Sequence, residues 1–538
     1  MIRRVLAAVV GLAAVMTVPS AAPTVSRPLT VATDKGVVEG AAADGVGRFL
    51  GIPYAAPPVG GLRWRPPAPA AAWPGVRSAD RPGARCEQTA GGGPGTSEDC
   101  LYLNVYAPER RTDHPLPVLF WIHGGGFMSG SGDLYDGSLL ARTNNIVVVT
   151  INYRLGVFGF LDLPGLSERG AGNYGLLDQQ AALRWTQRNI AAFGGDPGRV
   201  TLSGESAGGQ SVCALMASPP ARGLFDRAII QSGGCPSLTA AQARARGTSY
   251  ATAAGCRDSA TAASCLRAKR PDEVLAAGHD FGGILNGPLP VSGVPELPVA
   301  PGVAVRTGRF ADVPVLIGTN RDETRKWALP FANAPRERYE RVIRRQFGPH
   351  ADGVLARYPY GADGGPYSAA YALGAVWTDS SVFYGMGGCQ YQRLAERFAY
   401  RQPRTYFYEF GDREPAPSRG PTPPGFAPGA AHAAELPYLW PGMAAKPLTP
   451  EQRRLSRTML RYWGAFVRDA DPATDGQAAW PPYRGTTLMS LLPGGRGKAV
   501  DSEAYAARHR CSFWNGISYD WLTTDPAQLA SSLRDRRK

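Results

Sequence analysis

Gly204-Glu205-Ser206-Ala207-Gly208 constrains this chain more than any other stretch, because of what flanks it. Arg199–Ser203 reads as a short buried strand, and Ala207–Met216 reads as a helix. A strand that passes through a tight glycine turn into a helix holds a serine Oγ up at the end of a sheet. Glycines on either side let the backbone turn sharply and let neighbouring elements approach. Upstream, the apolar strand Leu116–Ile122 runs into His123-Gly124-Gly125-Gly126-Phe127. Three consecutive glycines leave amides uncovered by side chains and free to point at a developing negative charge. The loop precedes the serine turn, which is the order such a pair requires.

Hydrophobic residues make up 44% of the 538 positions and charged ones 19%, a composition that packs rather than stays disordered. The net charge of +14 comes mostly from arginine, and its bearers are scattered apart from the tail Arg534–Lys538. Such a charge favours anionic surfaces, a cell wall for example. No basic stripe interleaved with aromatics is visible, which excludes nucleic acid as a partner. Residues 1–22 read as a targeting segment. Arg3 and Arg4 form its positive end, Val5–Val18 is apolar but too short to span a bilayer, and Ser20, Ala21 and Ala22 offer a cleavage site. No later run reads as a membrane span, so a secreted protein is expected. Its eight cysteines then mature in an oxidising compartment. None has the spacing of a zinc site, so no metal is expected. Cys86 and Cys100 flank a Gly-rich loop, and Cys256 and Cys265 a polar one, as local staples do. Spacing leaves the connectivity open.

Along the chain, residues 29–50 suggest an N-terminal hairpin or small sheet. Apolar strands follow at Leu101–Tyr106, Leu116–Ile122, Ile146–Tyr153, Val200–Ser203, Phe225–Gln231, Val313–Gly318 and Thr405–Phe410, with a helix over Leu176–Asn189. Residues 237–310 break the alternation and read as inserted helices and loops over the site. Thr449-Pro450-Glu451-Gln452 has the pattern of a capping box with proline at the first helical position. The helix behind it carries Leu455, Met459, Tyr462 and Phe466 on one face and stops before Pro472. Strands alternating with helices predict an α/β fold with a mostly parallel central sheet, and residues 23–538 read as one domain with insertions.

A serine hydroxyl becomes a nucleophile only with a base in reach and a third group that orients the base. With the elbow serine first, the acid and then the histidine follow in the chain. His350, His432 and His509 lie after a plausible acid. His350 reads as a surface residue. His509 sits between Arg508 and Arg510, which would disfavour an imidazolium. His432 lies in the small-residue loop Gly429–Glu435 beyond a strand and is the favoured base. The acid belongs on the loop Asn320-Arg321-Asp322-Glu323, where the residues alone leave Asp322 and Glu323 open.

Two long stretches, Phe193–Gly208 and Glu98–Pro108, resemble the two signatures of the type-B carboxylesterase family, the cholinesterase-like branch of the α/β-hydrolases. The likeness runs from about residue 30 to 515. It implies an α/β-hydrolase fold and hydrolysis of small-molecule carboxylic esters without metal or organic cofactor. It implies no obligate protein partner. The family's Asn-x-Asp-Glu motif matches Asn320–Glu323 and points to Glu323 as the acid. Its histidine motif matches Gly429, His432 and Glu435. By the same resemblance the oxyanion donors fall on Gly125, Gly126 and Ala207, with Glu205, Ser232 and Glu435 as supporting residues. Three family disulfides fall on Cys86–Cys100, Cys256–Cys265 and Cys389–Cys511, leaving Cys213 and Cys235 without a family partner. The chain departs from the family at Thr324 and Ala433, where glycine is usual. It also lacks a tryptophan between Cys86 and Cys100, which argues against a quaternary ammonium substrate. A lipase with a long acyl tunnel and a non-catalytic adhesion protein are the alternatives; members of the second kind lose a reacting residue, and here Ser206, Glu323 and His432 are all present.

Overall fold

A computed structural model describes residues 27–88, 95–109, 113–166, 172–278, 287–362, 365–383, 385–416, 422–494 and 497–517. The expected targeting segment, residues 1–22, and the basic tail lie outside the described residues. The frame is a 13-stranded sheet. Its strands are β1 (Arg27–Thr33), β2 (Gly36–Ala43), β3 (Val46–Pro53), β4 (Tyr102–Pro108), β5 (Leu116–Ile122), β6 (Val147–Ile151), β7 (Gly195–Glu205), β8 (Arg227–Gln231), β9 (Val315–Asn320), β10 (Thr405–Phe410), β11 (Thr487–Leu491) and β12 (Lys498–Asp501), with Val76–Ser78 paired onto β2. The order across the sheet is β1-β2-β3-β4-β6-β5-β7-β8-β9-β10-β11-β12. From β6 to β11 every pairing is parallel, and the flanks are antiparallel except for Val76–Ser78, which runs parallel to β2.

Helices cover both faces, which is why the central strands read as unbroken apolar runs. Val118, Phe120, Leu202, Ile230 and Ile317 pack on one side with Leu183 of α2 (Tyr174–Asn189) and Val212 of α3 (Ala207–Ala217). Leu119, Trp121, Ile229 and Leu316 pack on the other with α6 (Pro450–Asp469). Tyr406, Tyr408 and Phe410 share that second face with Leu455, Met459, Tyr462 and Phe466, as their spacing predicts. The capping box of α6 is present, with Gln452 N donating to Thr449 Oγ1 at 3.2 Å. The remaining helices that matter below are α1 (Ser138–Asn144), α4 (Ser368–Ser380), α5 (Gly388–Arg401), α7 (Ser502–Arg508) and α8 (Cys511–Asn515).

The structure revises several expectations. The N-terminal strands β1 and β2 form the expected hairpin, and β3 pairs with β4 to join it to the main sheet. The region 237–310 does carry inserted helices, and a second group of helices lies among the described residues of 325–401, where the sequence shows no strand–helix alternation. Four disulfides form, not three: besides Cys86–Cys100, Cys256–Cys265 and Cys389–Cys511, Cys213 of α3 bonds to Cys235 beyond β8. The α3 helix and the loop after β8 are brought side by side by the β7–β8 pairing, which spacing alone does not reveal. The positive charge is not evenly scattered, because α6 gathers arginines on its solvent face. The arginines on either side of His509 do not disfavour its imidazolium, because Asp379 and Glu409 outweigh them. The residue is buried, with Nδ1 2.6 Å from Asp379 Oδ1 and Nε2 2.8 Å from Glu409 Oε1. His350 is exposed, as read.

Candidate active site

The parallel strands end in register. Gly204 lies opposite Ile122, Glu205 opposite Gln231, and Gln231 opposite Gly318. The loops that follow β5, β7, β8, β9 and β10 therefore emerge along one edge, where open α/β sheets build their sites. Ser206 sits at the tip of the β7–α3 turn with φ 57 and ψ −123, a conformation rare for a residue with a side chain. Its N–H donates to Gln231 O at 2.9 Å, which ties the turn to the neighbouring strand. Gly208 is required by proximity: a Cβ there would stand 2.0 Å from Ile122 O.

The glycine loop wraps the same edge. Gly125 and Gly126 have φ 108 and φ 64, a region that favours glycine. Ala207 is the first residue of α3, so its N–H has no acceptor within the helix. The amides of Gly125, Gly126 and Ala207 and the side chains of Ser206 and His432 belong to residues lining one cavity of about 610 Å³. His123, behind the loop, is stacked on Tyr153 with ring centroids 4.5 Å apart. Burial lowers its pKa to about 4, so it is neutral and its Nδ1 donates to Gly124 O at 2.8 Å.

His432 is delivered from the far side. Its Nε2 lies 2.8 Å from Ser206 Oγ, and its Nδ1 lies 2.7 Å from Glu323 Oε2. The His432 N–H also donates to Glu323 O at 2.9 Å. Glu323 is wholly buried, and its other oxygen accepts from Thr319 Oγ1 at 2.8 Å and Asn320 N at 2.7 Å. Burial alone would raise the Glu323 pKa; the charge and hydrogen bond of His432, with help from Asn320 and Ser232, outweigh it and hold the carboxyl below its ordinary value. Asp322 faces away from the imidazole. Its carboxylate accepts from Ala430 N at 3.0 Å and pairs with Arg325 at 3.0 Å and Arg413 at 3.3 Å, so it anchors the loop that carries His432. Thr324, at a usual glycine position, donates to Gly374 O at 2.8 Å. Ala433, at the other, keeps φ 65.

Two further carboxyls stand close by. Glu205 Oε1 is 3.3 Å from His432 Nε2. Glu435 accepts from Asn320 Nδ2 at 2.6 Å and Gln231 Nε2 at 3.2 Å, and Gln231 in turn accepts from Trp463 Nε1 at 2.9 Å. Ser232 is buried at the end of β8 with φ 47. Burial raises the pKa of Glu205 to about 8 and raises that of Glu435 from its ordinary value. For His432 burial works the other way, but the negative charges of Glu205, Glu323 and Glu435 overcome it and raise its pKa to about 9. At 3.3 Å, the charge on Glu205 and the charge on His432 each depend on the other.

Every residue expected at the site is thus gathered here: Ser206, Glu323, His432, Gly125, Gly126, Ala207, Glu205, Ser232 and Glu435. Sequence reasoning missed Trp327, whose ring lies 5.0 Å from that of His432, and Met386 and Met443 on the cavity wall. Trp327 comes from the unrecognised insertion. Asn320 was read only as part of a motif, although it holds Glu323, Glu435 and the Ala431 carbonyl at once.

Comparison with known proteins gives the family. Residues 27–514 match the model of the carboxylesterase family. The chain is 40% identical over 487 residues to cocaine esterase of Oryctolagus cuniculus, covering 83% of this chain and 87% of that one. It is 35% identical to para-nitrobenzyl esterase of Bacillus subtilis (strain 168), covering 86% and 94%. A solved structure of a "thermophylic PNB esterase" superposes with TM-score 0.76 at 33% identity, covering 90% of this chain and 99% of that one. The chain belongs to the carboxylesterase family, with an α/β-hydrolase fold, and is a carboxylic ester hydrolase.

Proposed function

We propose that the protein is a secreted serine esterase acting through Ser206, His432 and Glu323 by way of an acyl-enzyme, within one catalytic domain spanning 23–538. The observation that carries this reading is the unbroken run Ser206 Oγ, His432 Nε2 at 2.8 Å, His432 Nδ1, Glu323 Oε2 at 2.7 Å. Ser206 Oγ attacks the ester carbonyl while His432 Nε2 takes its proton. Glu323, held ionised, keeps the Nδ1 proton in place and stabilises the imidazolium. The carbonyl oxygen becomes an oxyanion within reach of the Gly125, Gly126 and Ala207 amides, each worth roughly 3 kcal/mol when donors behave like measured ones. His432 then gives its proton to the leaving alcohol. Water attacks the acyl-enzyme by the same route in reverse roles.

The cavity walls favour uncharged esters. Met128, Leu134, Leu289, Met386, Leu436 and Met443 supply apolar surface, and Arg85 at the rim is already paired with Asp133 at 2.7 Å. The relatives' names make a para-nitrobenzyl ester the first substrate to try. Four disulfides and the apolar N-terminal segment support export. A phosphonate probe with peptide mapping tests the core of this reading: the label should sit on Ser206, and Ser206→Ala should lose both label and turnover. Normal turnover by that variant would end the proposal. A panel of p-nitrophenyl esters of increasing acyl length then separates a carboxylesterase from a lipase.

A further inference from the structure

Helix α6 presents a face that neither the core nor the esterase site uses. From Arg453 to Arg468 every side chain that is not buried is an arginine: Arg453, Arg454, Arg457, Arg461 and the half-buried Arg468. At 3.6 residues per turn they fall within an arc of about 100° and run about 22 Å along the axis. The opposite face holds Leu455, Met459, Tyr462 and Phe466 in the core. Among the described residues, ion pairs to this face form at its two ends, Glu451 at 3.6 Å from Arg454 and Asp469 at 3.8 Å from Arg468. Arg457 and Arg461, in the middle, have no acidic partner among the described residues.

Helix stability does not account for this pattern. Arginines four apart, such as Arg453 with Arg457 and Arg457 with Arg461, repel one another by about 0.2–0.5 kcal/mol per pair, whereas interleaved glutamates would attract. An arginine-rich composition would scatter the residue over all exposed positions, yet here no other residue type shares the face. A row of guanidinium forks suits a row of phosphates, which it can grip bidentately. No aromatic side chain is exposed among them to stack a base, and no apolar one to enter a bilayer. Positive charge continues past the helix end, where Arg199 and Arg227 donate to Arg468 O at 2.7 and 3.4 Å. Arg199 lies near the start of β7 and Ser206 just beyond its end, so this part of the face is at the opposite edge of the sheet from the cavity.

We propose that the arginine face of α6 is a docking surface for a linear polymer of phosphate groups without bases, an anchor that holds the enzyme on an anionic matrix with its cavity open. This rests on the charge geometry and not on the esterase mechanism.

The test is fluorescence anisotropy of labelled long-chain inorganic polyphosphate with the intact protein at 50 and 200 mM salt. Binding should weaken with salt, with a logarithmic slope of about −0.7 per phosphate contacted. Arg457→Glu with Arg461→Glu should weaken binding at 50 mM salt by about tenfold or more and flatten the slope by about 1.4. The milder Arg457→Gln with Arg461→Gln should fall between. Arg341→Glu with Arg345→Glu, two exposed positions on the helix Arg336–Phe347, makes the same change in net charge and should leave binding within about twofold. Turnover of a small soluble ester reports that each variant is folded. Equal losses in the two Glu variants, or no binding at 50 mM salt, would overturn the proposal. So would tighter binding to single-stranded DNA of equal charge, or preferential capture by vesicles of anionic phospholipid.

Discussion

Raising the pH should loosen the packing of His509 against Asp379 and Glu409. Both ring nitrogens of this buried residue face carboxylate oxygens, Asp379 and Glu409, so both must carry protons. The groups around it are Arg508, paired with Glu409; Arg510, 3.4 Å from Asp379; Arg321, near Glu409; Tyr358, donating to Asp379 at 2.7 Å; and Tyr505, whose ring is tilted against the imidazole with centroids 4.5 Å apart. Burial alone would lower the His509 pKa, but Asp379 and Glu409 raise it from 6.5 to about 9. At 1.36 kcal/mol per pKa unit, that rise is worth about 3 kcal/mol of folding free energy. Because the folded value lies above the unfolded one, the stabilisation is complete below about pH 6.5 and fades as pH climbs through about 9. His432 titrates in the same window, so the measurement must be differential. Urea unfolding of the native protein and of His509→Gln, with disulfides intact, should differ by about 3 kcal/mol at pH 6 and converge above about pH 9.5. The imidazole resonance of His509 should titrate near 9 in the folded protein. A stability gap that stays constant between those two pH values would refute the reasoning.

The remaining predictions concern the site and its crosslink. Glu323→Gln should lower kcat by at least about 100-fold, because the imidazolium loses its counter-charge. Asp322→Asn should cost far less, since an amide oxygen can still accept from Ala430 N; matched kinetics on the two folded variants decide it, and a crippled Asp322→Asn beside a near-normal Glu323→Gln would reverse the assignment. Glu205→Gln removes the largest influence that raises the His432 pKa, so the acid limb of the kcat/KM profile should move to lower pH, and a limb that stays in place would show that Glu205 carries no charge in the free enzyme. Replacing Cys213 and Cys235 together by alanine should cost up to about 3 kcal/mol from the loss of a 22-residue closure, read from denaturant midpoints. Two free thiols in the native enzyme, found by denaturing alkylation, would remove that crosslink from consideration.

What could be read without coordinates was whatever depends on neighbours in the chain. The turn at Ser206, the Gly125–Gly126 loop and the small-residue loop of His432 are local patterns. The strands Leu116–Ile122 and Thr405–Phe410 have the bounds that their apolar runs suggested. The choice between Asp322 and Glu323 was not local, and a family likeness made it; the structure adds that Asp322 is turned toward Ala430, Arg325 and Arg413. His509 was misread because its arginine neighbours adjoin it in the chain, whereas its carboxylates come from α4 and β10. Cys213 and Cys235 meet only because β7 and β8 are adjacent strands. The arginines of α6 look scattered in one dimension and align only once wound at the helical period. Trp327 was invisible for another reason: it lies in a short 3-10 helix, Arg325–Phe331, with Pro330 inside it, which lacks the period of an α-helix or a strand.

The two bonds between Glu323 and His432, one through side chains and one from the His432 amide to the Glu323 carbonyl, make the pair move as one body. No swing of the His432 loop can part acid from base without breaking both. Thermal motion at the edge of the sheet is therefore spent on a single gap, the one between His432 and Ser206. The amide of His432 becomes a native reporter: its exchange with solvent deuterium, followed in the empty enzyme, records how often the pair comes apart. Anything that slows that exchange without touching the serine acts on the readiness of the base and not on the chemistry of the attack.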